Sequence, residues 1–317
     1  MSFKPVLHKD LLLFFFSLLC ILSCAAGEQE GAPVRLAYLQ SDLHHLPAFV
    51  ALEKGFYQEE GVTVEVSGIF KAGPEMMSGF AAGSLDVGYV GLAPALVAVA
   101  NKTARIKVLS QVNKNGSALV VRKDAPYRSI SDLDKKIIAI PGHATIQDFL
   151  IRKALIDAAI ENNGPTIITI KPPEMIAVLT TDQIDAFIAW EPYPSLAVTR
   201  DTAKIFRYSK DIWPDHPCCV LVVSTHCMEK NPAQVAAVRK AHLKSIAYIA
   251  NNPQEVIDIG VKFTGMDKGA VELALQHIDY DHRISTTHTL EYIDYLNKLG
   301  YTTITQPQSF FQSITVN

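Results

Sequence analysis

The sequence contains few cysteines for its length. Five occur in 317 residues, and two of them fall in or beside an N-terminal apolar run, which leaves Cys218, Cys219 and Cys227. An odd remainder does not form a disulfide framework, and no CxxC spacing indicates a metal or redox motif. Cys218 and Cys219 belong to the β-branched run "CCVLVVS", so we expect them to be small, buried strand residues.

A basic stripe and a block of like charges are also missing. The 29 basic and 32 acidic residues are well mixed and give a formal net charge of −3. Nucleic acids attract clustered lysine and arginine, so we expect no nucleic-acid partner. The composition, 49% apolar and 19% charged, is that of a globular protein, and the length favours two domains.

The N-terminal apolar run is too short to span a bilayer comfortably. Leu11 to Leu22 follows a basic segment, which is typical of a secretory signal. Cys24, in "ILSC", resembles the lipid-attachment site of bacterial lipoproteins. We therefore predict a lipoprotein-type signal peptide over residues 1–23, a lipid anchor on Cys24 and an extracytoplasmic location, in the periplasm or at the cell surface. An ordinary signal peptide cut near Ala25 is the alternative.

The mature chain repeats one order of predicted elements. From Val34 onward, short apolar runs alternate with helical patterns, which indicates an α/β fold with mainly parallel strands. In each half, a strand ends in a turn that opens a helix: "AYLQSDLHHLPAF" in the first and "AIPGHATIQDF" in the second. An aspartate also leads one strand of each half, Asp86 and Asp185. The halves therefore follow one plan used twice.

The predicted path of the chain crosses between these halves twice. Two such connections between two α/β lobes describe a clamshell. We predict that residues 34–116 and 218–317 form lobe one, with a helical C-terminal tail, and that residues 117–212 form lobe two.

Several stretches, taken together, resemble a known family. They are "HLPAFVALEKGFYQEEGVTVEV", "AGPEMMSGFAAGSLDVGYVG", "ISDLDKKIIAIPG", "DAFIAWEPY" and "CCVLVVS". They resemble the NMT1-like substrate-binding proteins of ABC importers for nitrate, taurine, aliphatic sulfonates and thiamine-pyrimidine precursors. The resemblance covers nearly all of the chain from about Val34 to Leu299.

The resemblance implies a periplasmic-binding-protein-like clamshell of type II that is not an enzyme and carries no cofactor. Such a protein captures a small organic or oxyanionic solute between its lobes and delivers it to the permease. The solute would be a thiamine-pyrimidine precursor, a sulfonate or nitrate. The implied partners are this solute and the permease and ATPase subunits of the importer.

Position in this plan also gives candidate solute contacts, at strand ends that meet helix N-termini. They are Gln40, Ser41, Asp42, His44, His45, Gly73, Gly91 and Leu92 in the first half, and His143, Ala144, Thr145, Trp190, Glu191 and Tyr193 in the second. Trp190, unless it is a core residue, and Tyr193 can stack on a planar solute, and Glu191 can accept hydrogen bonds from an amine. An organic solute with an amine or ring nitrogen is therefore favoured. Of the two adjacent histidines, His45 at the helix start is expected to face the solute.

An enzyme fits the sequence less well. The pyrimidine synthases of thiamine biosynthesis share much of the resembling pattern. They carry a lysine for pyridoxal phosphate, a histidine four residues later and a cysteine-rich iron-binding run. Here Val90 and Pro94 stand in place of the lysine and the histidine, and only Cys218 and Cys219 correspond to the cysteine-rich run. The donors for that chemistry are missing, so we expect no enzyme.

A metal receptor is the remaining alternative. Asp42, His44, His45, His143 and His216 are candidate ligands, because extracellular chains also use histidine to collect metal ions. The acidic, histidine-rich loop common in dedicated metal scavengers is missing from the sequence. The sequence therefore predicts no metal site.

Overall fold

The computed structural model describes residues 1–2, 32–160 and 164–316. The chain separates into two units, Met1–Ala32 and Pro33–Asn317, and the elements below belong to the second. The predicted signal peptide from residue 3 onward and the predicted lipid-attachment site Cys24 lie outside the described residues. Among the described helices, none has the length and apolar character needed to cross a bilayer.

Strands and helices alternate along much of the described part of the chain, and its C-terminal part is mainly helical. The strands are β1 (Val34–Leu39), β2 (Val64–Phe70), β3 (Val87–Gly91), β4 (Ile106–Asn115), β5 (Ser117–Arg122), β6 (Ile137–Ile140), β7 (Thr166–Thr169), β8 (Ala186–Trp190), β9 (Ala203–Tyr208), β10 (Pro217–Ser224) and β11 (Ile278–Tyr280). The helices are α1 (Leu46–Glu53), α2 (Phe56–Glu59), α3 (Gly73–Ala81), α4 (Leu92–Ala100), α5 (Ile146–Asp157), α6 (Pro172–Thr180), α7 (Tyr193–Thr199), α8 (Ser209–Ile212), α9 (Thr225–Lys230), α10 (Pro232–Asn251), α11 (Pro253–Thr264), α12 (Lys268–Leu275), α13 (Thr286–Lys298) and α14 (Pro307–Ile314). Short 3₁₀ helices cover Leu43–His45 and Ile130–Leu133.

The strands form two sheets, with the orders β11-β4-β10-β3-β1-β2 and β7-β6-β8-β5-β9. In each sheet, three strands are parallel: β1 with β2 and β3, and β6 with β7 and β8. The other pairings are antiparallel. The expectation of mainly parallel strands is therefore wrong for β5 and β10, because each enters its sheet directly after a crossover and runs against its neighbours. It is also wrong for the edge strand β11, which runs against β4.

Two aspartates at equivalent positions show the common plan of the halves. Asp86, before β3, accepts a hydrogen bond from the backbone N–H of Arg35 in β1 at 2.9 Å. Asp185, before β8, accepts one from the backbone N–H of Ile137 in β6, also at 2.9 Å. Each carboxylate thus ties together the starts of two neighbouring parallel strands.

Both sheets have buried central strands. Every residue of β3, β8 and β10 is buried, as expected for strands covered by helices on both faces. The prediction that Cys218 and Cys219 are buried strand residues is confirmed, since both lie in β10.

The chain passes between the sheets at two places. Gly116 alone separates β4 from β5, and residues 209–216 connect β9 to β10. Gly116 has φ +87°, a conformation that glycine adopts without steric cost. The predicted lobe boundaries, residues 34–116 with 218–317 and residues 117–212, stay a prediction as limits of separate domains.

Candidate functional site

A cavity of about 20 Å³ lies between the two sheets. Six of its lining residues are among those that the sequence predicts as solute contacts: Asp42, His44, Gly73, Gly91, Thr145 and Trp190. No lysine or arginine lines this cavity among the described residues. A volume of this size accommodates about one water molecule or a small ion. A larger solute would require the two sheets to move apart.

Six further lining residues are missed by the sequence reasoning: Leu39, Pro94, Ile146, Gln147, Cys218 and Cys219. The two cysteines reach the cavity because β10 is antiparallel to β3 and pairs Cys219 with Gly91. The start of β10 therefore lies beside the carboxyl end of β3. Recognising β10 as a returning strand would have placed both sulfurs at the site.

The side chain of His44 is fixed inside the cavity. Its Nε2 lies 2.6 Å from the carbonyl oxygen of Gly116, and because a carbonyl only accepts, Nε2 donates this hydrogen bond. Its Nδ1 faces the sulfurs of Cys218 and Cys219 at 3.4 and 3.6 Å. One imidazole thus connects the crossover between the sheets with the cysteine pair.

The neighbouring His45 is fully buried but does not line the cavity. Its Nδ1 accepts a hydrogen bond from the backbone N–H of Leu39 at 3.1 Å. The proton is then on Nε2, which has no hydrogen-bond partner among the described residues and lies 3.7 Å from Asp42 Oδ2. The sequence favours His45 as the solute contact, whereas the geometry favours His44. Consecutive side chains of a 3₁₀ helix point about 120° apart, which separates the two rings.

Burial and mutual contact shift the pKa values of this cluster. Burial raises the pKa of Asp42 to about 7, against the opposing effect of His44. Burial alone would lower the pKa of His44, but Cys218 and Asp42 raise it to about 10. Burial would likewise raise the pKa of the Cys218 thiol, yet Cys219 and His44 lower it well below its ordinary value. The cluster can therefore hold an imidazolium and thiolate pair.

Trp190 closes the cavity from the five-stranded sheet. Its side chain is buried and its ring meets Tyr193 edge to face, with centroids 6.0 Å apart. The indole N–H has no acceptor among the described residues. Beside it, Gln147 donates a hydrogen bond to the hydroxyl of Ser117 at 2.9 Å. This side of the cavity thus presents an aromatic ring and hydrogen-bonding groups to a solute.

The remaining predicted contacts lie outside this cavity. Gln40, Ser41 and Tyr193 line a crevice of about 380 Å³, and His143 and Ala144 line another of about 250 Å³. Leu92, at the start of α4, and Glu191, after β8, are buried and line none of these three spaces. The structure thus distributes the predicted set over several places.

Glu191 is a fully buried carboxyl group. Its Oε2 accepts a hydrogen bond from the backbone N–H of Ser195 at 3.1 Å, and its Oε1 has no partner among the described residues. Burial raises the pKa of Glu191 from 4.5 to about 7, against the opposing effects of Ser195 and His44. Tyr208 is a further titratable group near this carboxyl.

Replacement of this carboxyl, Glu191→Gln, is expected to stabilise the protein near pH 8 by about 3 kcal/mol and to change its stability little near pH 4. The pKa of Glu191 is raised on folding, so the folded state holds a proton that the unfolded chain releases between pH 4.5 and about 7. Stability therefore falls as the pH rises through this window, and glutamine removes that loss. Urea unfolding at both pH values measures the effect. Lower stability of the variant near pH 8 would contradict this assignment.

Comparison with known proteins places the chain in a family. The profile of the NMT1-like family matches residues 27–259. The taurine-binding periplasmic protein of Escherichia coli (strain K12) is 31% identical over 241 residues, which cover 74% of this chain and 72% of that protein.

Two solved structures show the fold. The alkanesulfonate-binding protein SsuA from Xanthomonas axonopodis pv. citri, bound to MOPS, has a TM-score of 0.78 at 18% identity and covers 90% of this chain and 99% of its own. A zinc-bound ligand-binding component of an ABC-type import system from Staphylococcus aureus has a TM-score of 0.77 at 17% identity, with 89% and 98% covered. The predicted fold, a two-lobe α/β architecture of the periplasmic-binding-protein kind, is confirmed. The relatives described here are binding proteins, and with the profile match over most of its length the chain belongs to the NMT1-like family.

Proposed function

We propose that the chain is the extracytoplasmic solute-binding component of an ABC importer and has no enzymatic activity. It captures a small solute between its two sheets and delivers it to the permease and ATPase subunits. The observation that carries this proposal is the cavity lined from both sheets. His44, which contacts the crossover residue Gly116, couples this cavity to the connection about which the sheets would move.

The lining of the cavity favours a solute that presents hydrogen-bond donors or positive charge. Asp42 supplies a carboxylate, and Cys218 and Cys219 supply sulfur atoms. No lysine or arginine stands there to balance an oxyanion among the described lining residues. An aminopyrimidine of the thiamine-precursor kind could donate to Asp42 and stack on Trp190. A sulfonate or nitrate would instead face the carboxylate.

We also propose that lipid on Cys24 holds the mature protein at the outer face of the membrane, after removal of residues 1–23. The sequence "ILSC" supports this anchor. Tethering beside the permease would raise the effective concentration of the loaded protein at its partner.

The substitution Asp42→Asn tests the preferred class of solute. Calorimetric titration of the native protein is expected to show binding of an aminopyrimidine, and the variant is expected to bind it about 10-fold or more weakly. Asparagine retains the hydrogen bond to the backbone of His44 that Asp42 makes, so the turn is preserved. The exposed Asp134→Asn is the matched control and should bind as the native protein does.

Two results would count against this assignment. Tight binding of nitrate or taurine that Asp42→Asn leaves unchanged would contradict the preference for donor-bearing solutes. Failure of every solute in a screen of pyrimidines, sulfonates, taurine, nitrate and divalent metals would contradict the receptor function itself.

A further inference from the structure

We propose that the cleft coordinates a divalent metal ion of the zinc class, with His44, Cys218 and Cys219 as ligands and the carboxylate of Asp42 beside His44. The proposal rests on the function proposed above, because the ion would be the cargo of the same cleft or the electropositive centre of that cargo. It contradicts the expectation from sequence that no metal site is present.

The three nitrogen and sulfur donors have the separations that a tetrahedral site requires. His44 Nδ1 lies 3.4 Å from Cys218 Sγ and 3.6 Å from Cys219 Sγ, and the two sulfurs are 3.9 Å apart. Tetrahedral zinc with bonds of about 2.3 Å to sulfur and about 2.1 Å to nitrogen places N and S about 3.6 Å apart and two sulfurs about 3.8 Å apart. These donors therefore need little rearrangement to bind an ion.

Asp42 lies beside this set. Its Oδ1 is 3.5 Å from His44 Nδ1. The same oxygen accepts the backbone N–H of His44 at 2.9 Å, which fixes the carboxylate beside the ring. The site thus has three donors from buried residues, with a buried carboxylate next to one of them.

Hydrogen bonds around the cluster fix which nitrogen of His44 faces the sulfurs. His44 Nε2 donates to the carbonyl of Gly116, the arrangement by which metal-binding histidines usually orient their ring, and this directs Nδ1 towards the sulfurs. His45 is different, because its Nδ1 is occupied by the N–H of Leu39 and its proton is on Nε2. A second grouping of Asp42, His45 and Cys219 lies within 4.8 Å, but this proton excludes His45 Nε2 as a ligand.

The chemistry and size of the cavity select the ion. Thiolate and imidazole donors favour zinc or copper(I) over magnesium and calcium. Two thiolates and a carboxylate carry up to three negative charges, which a divalent ion offsets better than a monovalent one. The cavity of about 20 Å³ has room for an ion as it stands, whereas an organic solute would require the two sheets to move apart.

Zinc titration of the reduced, metal-free, untagged protein tests the proposal. In competition with a chromophoric chelator, we expect one zinc ion per chain. Cys218→Ser, Cys219→Ser and His44→Gln should each weaken binding by about 100-fold or more. His45→Gln should weaken it less, by about 10-fold at most, since His45 is a neighbour of the site and not a ligand. Cys227→Ser is the matched control, because Cys227 is a buried cysteine outside the cavity, and it should bind as the native protein does.

Cobalt(II) gives a second measurement that needs no substitution. The native protein loaded with cobalt should show thiolate-to-metal charge transfer and the intense visible bands of tetrahedral coordination. Absence of these bands, or zinc affinity unchanged in Cys218→Ser and Cys219→Ser, would overturn the proposal. Binding of an aminopyrimidine without binding of zinc would overturn the metal site and leave the receptor function standing. Failure of both would overturn both.

Discussion

Replacement of Gly116 by alanine is expected to abolish solute binding and to lower the free energy of unfolding by about 3 kcal/mol or more. A Cβ at this position would lie 2.3 Å from His44 Nε2 and 3.0 Å from Ile278 Cγ1. The ring of His44 would have to leave the carbonyl that it now contacts at 2.6 Å. The backbone, with φ +87°, would also become strained with any residue other than glycine.

Urea unfolding and calorimetric titration of the same preparations separate the two effects. Gly83→Ala is the matched control, since Gly83 also has a positive φ, +69°, but no atom lies within 4 Å of an added Cβ. It should cost about 1 kcal/mol from the backbone alone and leave binding intact. Equal losses of stability and binding in both variants would show that the contact between Gly116 and His44 has no special role.

A bulky side chain at Gly91 is expected to weaken solute binding by about 100-fold or more by holding the sheets apart. Gly91 ends β3 on one side of the cleft, and an added Cβ would lie 3.1 Å from Cγ1 of Ile146, at the start of α5 on the other side. The backbone of Gly91 has φ −59°, which any residue adopts. The variant Gly91→Leu should therefore fold and fail to close.

Small-angle X-ray scattering measures this closure. The radius of gyration of the native protein should fall when solute is added, and that of Gly91→Leu should stay at the open value. Gly269→Leu, where no atom lies within 4 Å of an added Cβ, should close as the native protein does. Native affinity and native closure in Gly91→Leu would contradict the clamshell mechanism.

Local patterns in the sequence predict much of the fold. Alternation of apolar runs with helical patterns indicated two α/β halves, and the equivalent contacts of Asp86 and Asp185 show that the halves share a plan. The direction of a strand, however, is a property of the whole sheet. The residues "CCVLVVS" do not show that β10 runs antiparallel to its neighbours. The sequence therefore predicts that Cys218 and Cys219 lie in a strand but does not predict that they line the cleft.

The candidate site was only partly predictable for the same kind of reason. The rule that solutes meet strand ends selects Asp42, His44 and Trp190, which do line the cavity. It also selects Glu191, which does not line the cavity and accepts a hydrogen bond from the backbone N–H of Ser195. One turn of 3₁₀ helix decides which of the two rings, His44 or His45, faces the cavity. The sequence does not specify how that turn is rotated.

The position of the bound solute is the most direct test of capture between the sheets. An X-ray structure of the protein crystallised with the best organic solute from the screen would give that position. We expect contacts from both sheets, with the solute on His44 and Asp42 from one side and against Trp190 from the other. A solute held by one sheet alone, or in the crevice of Gln40, Ser41 and Tyr193, would contradict capture in this cleft.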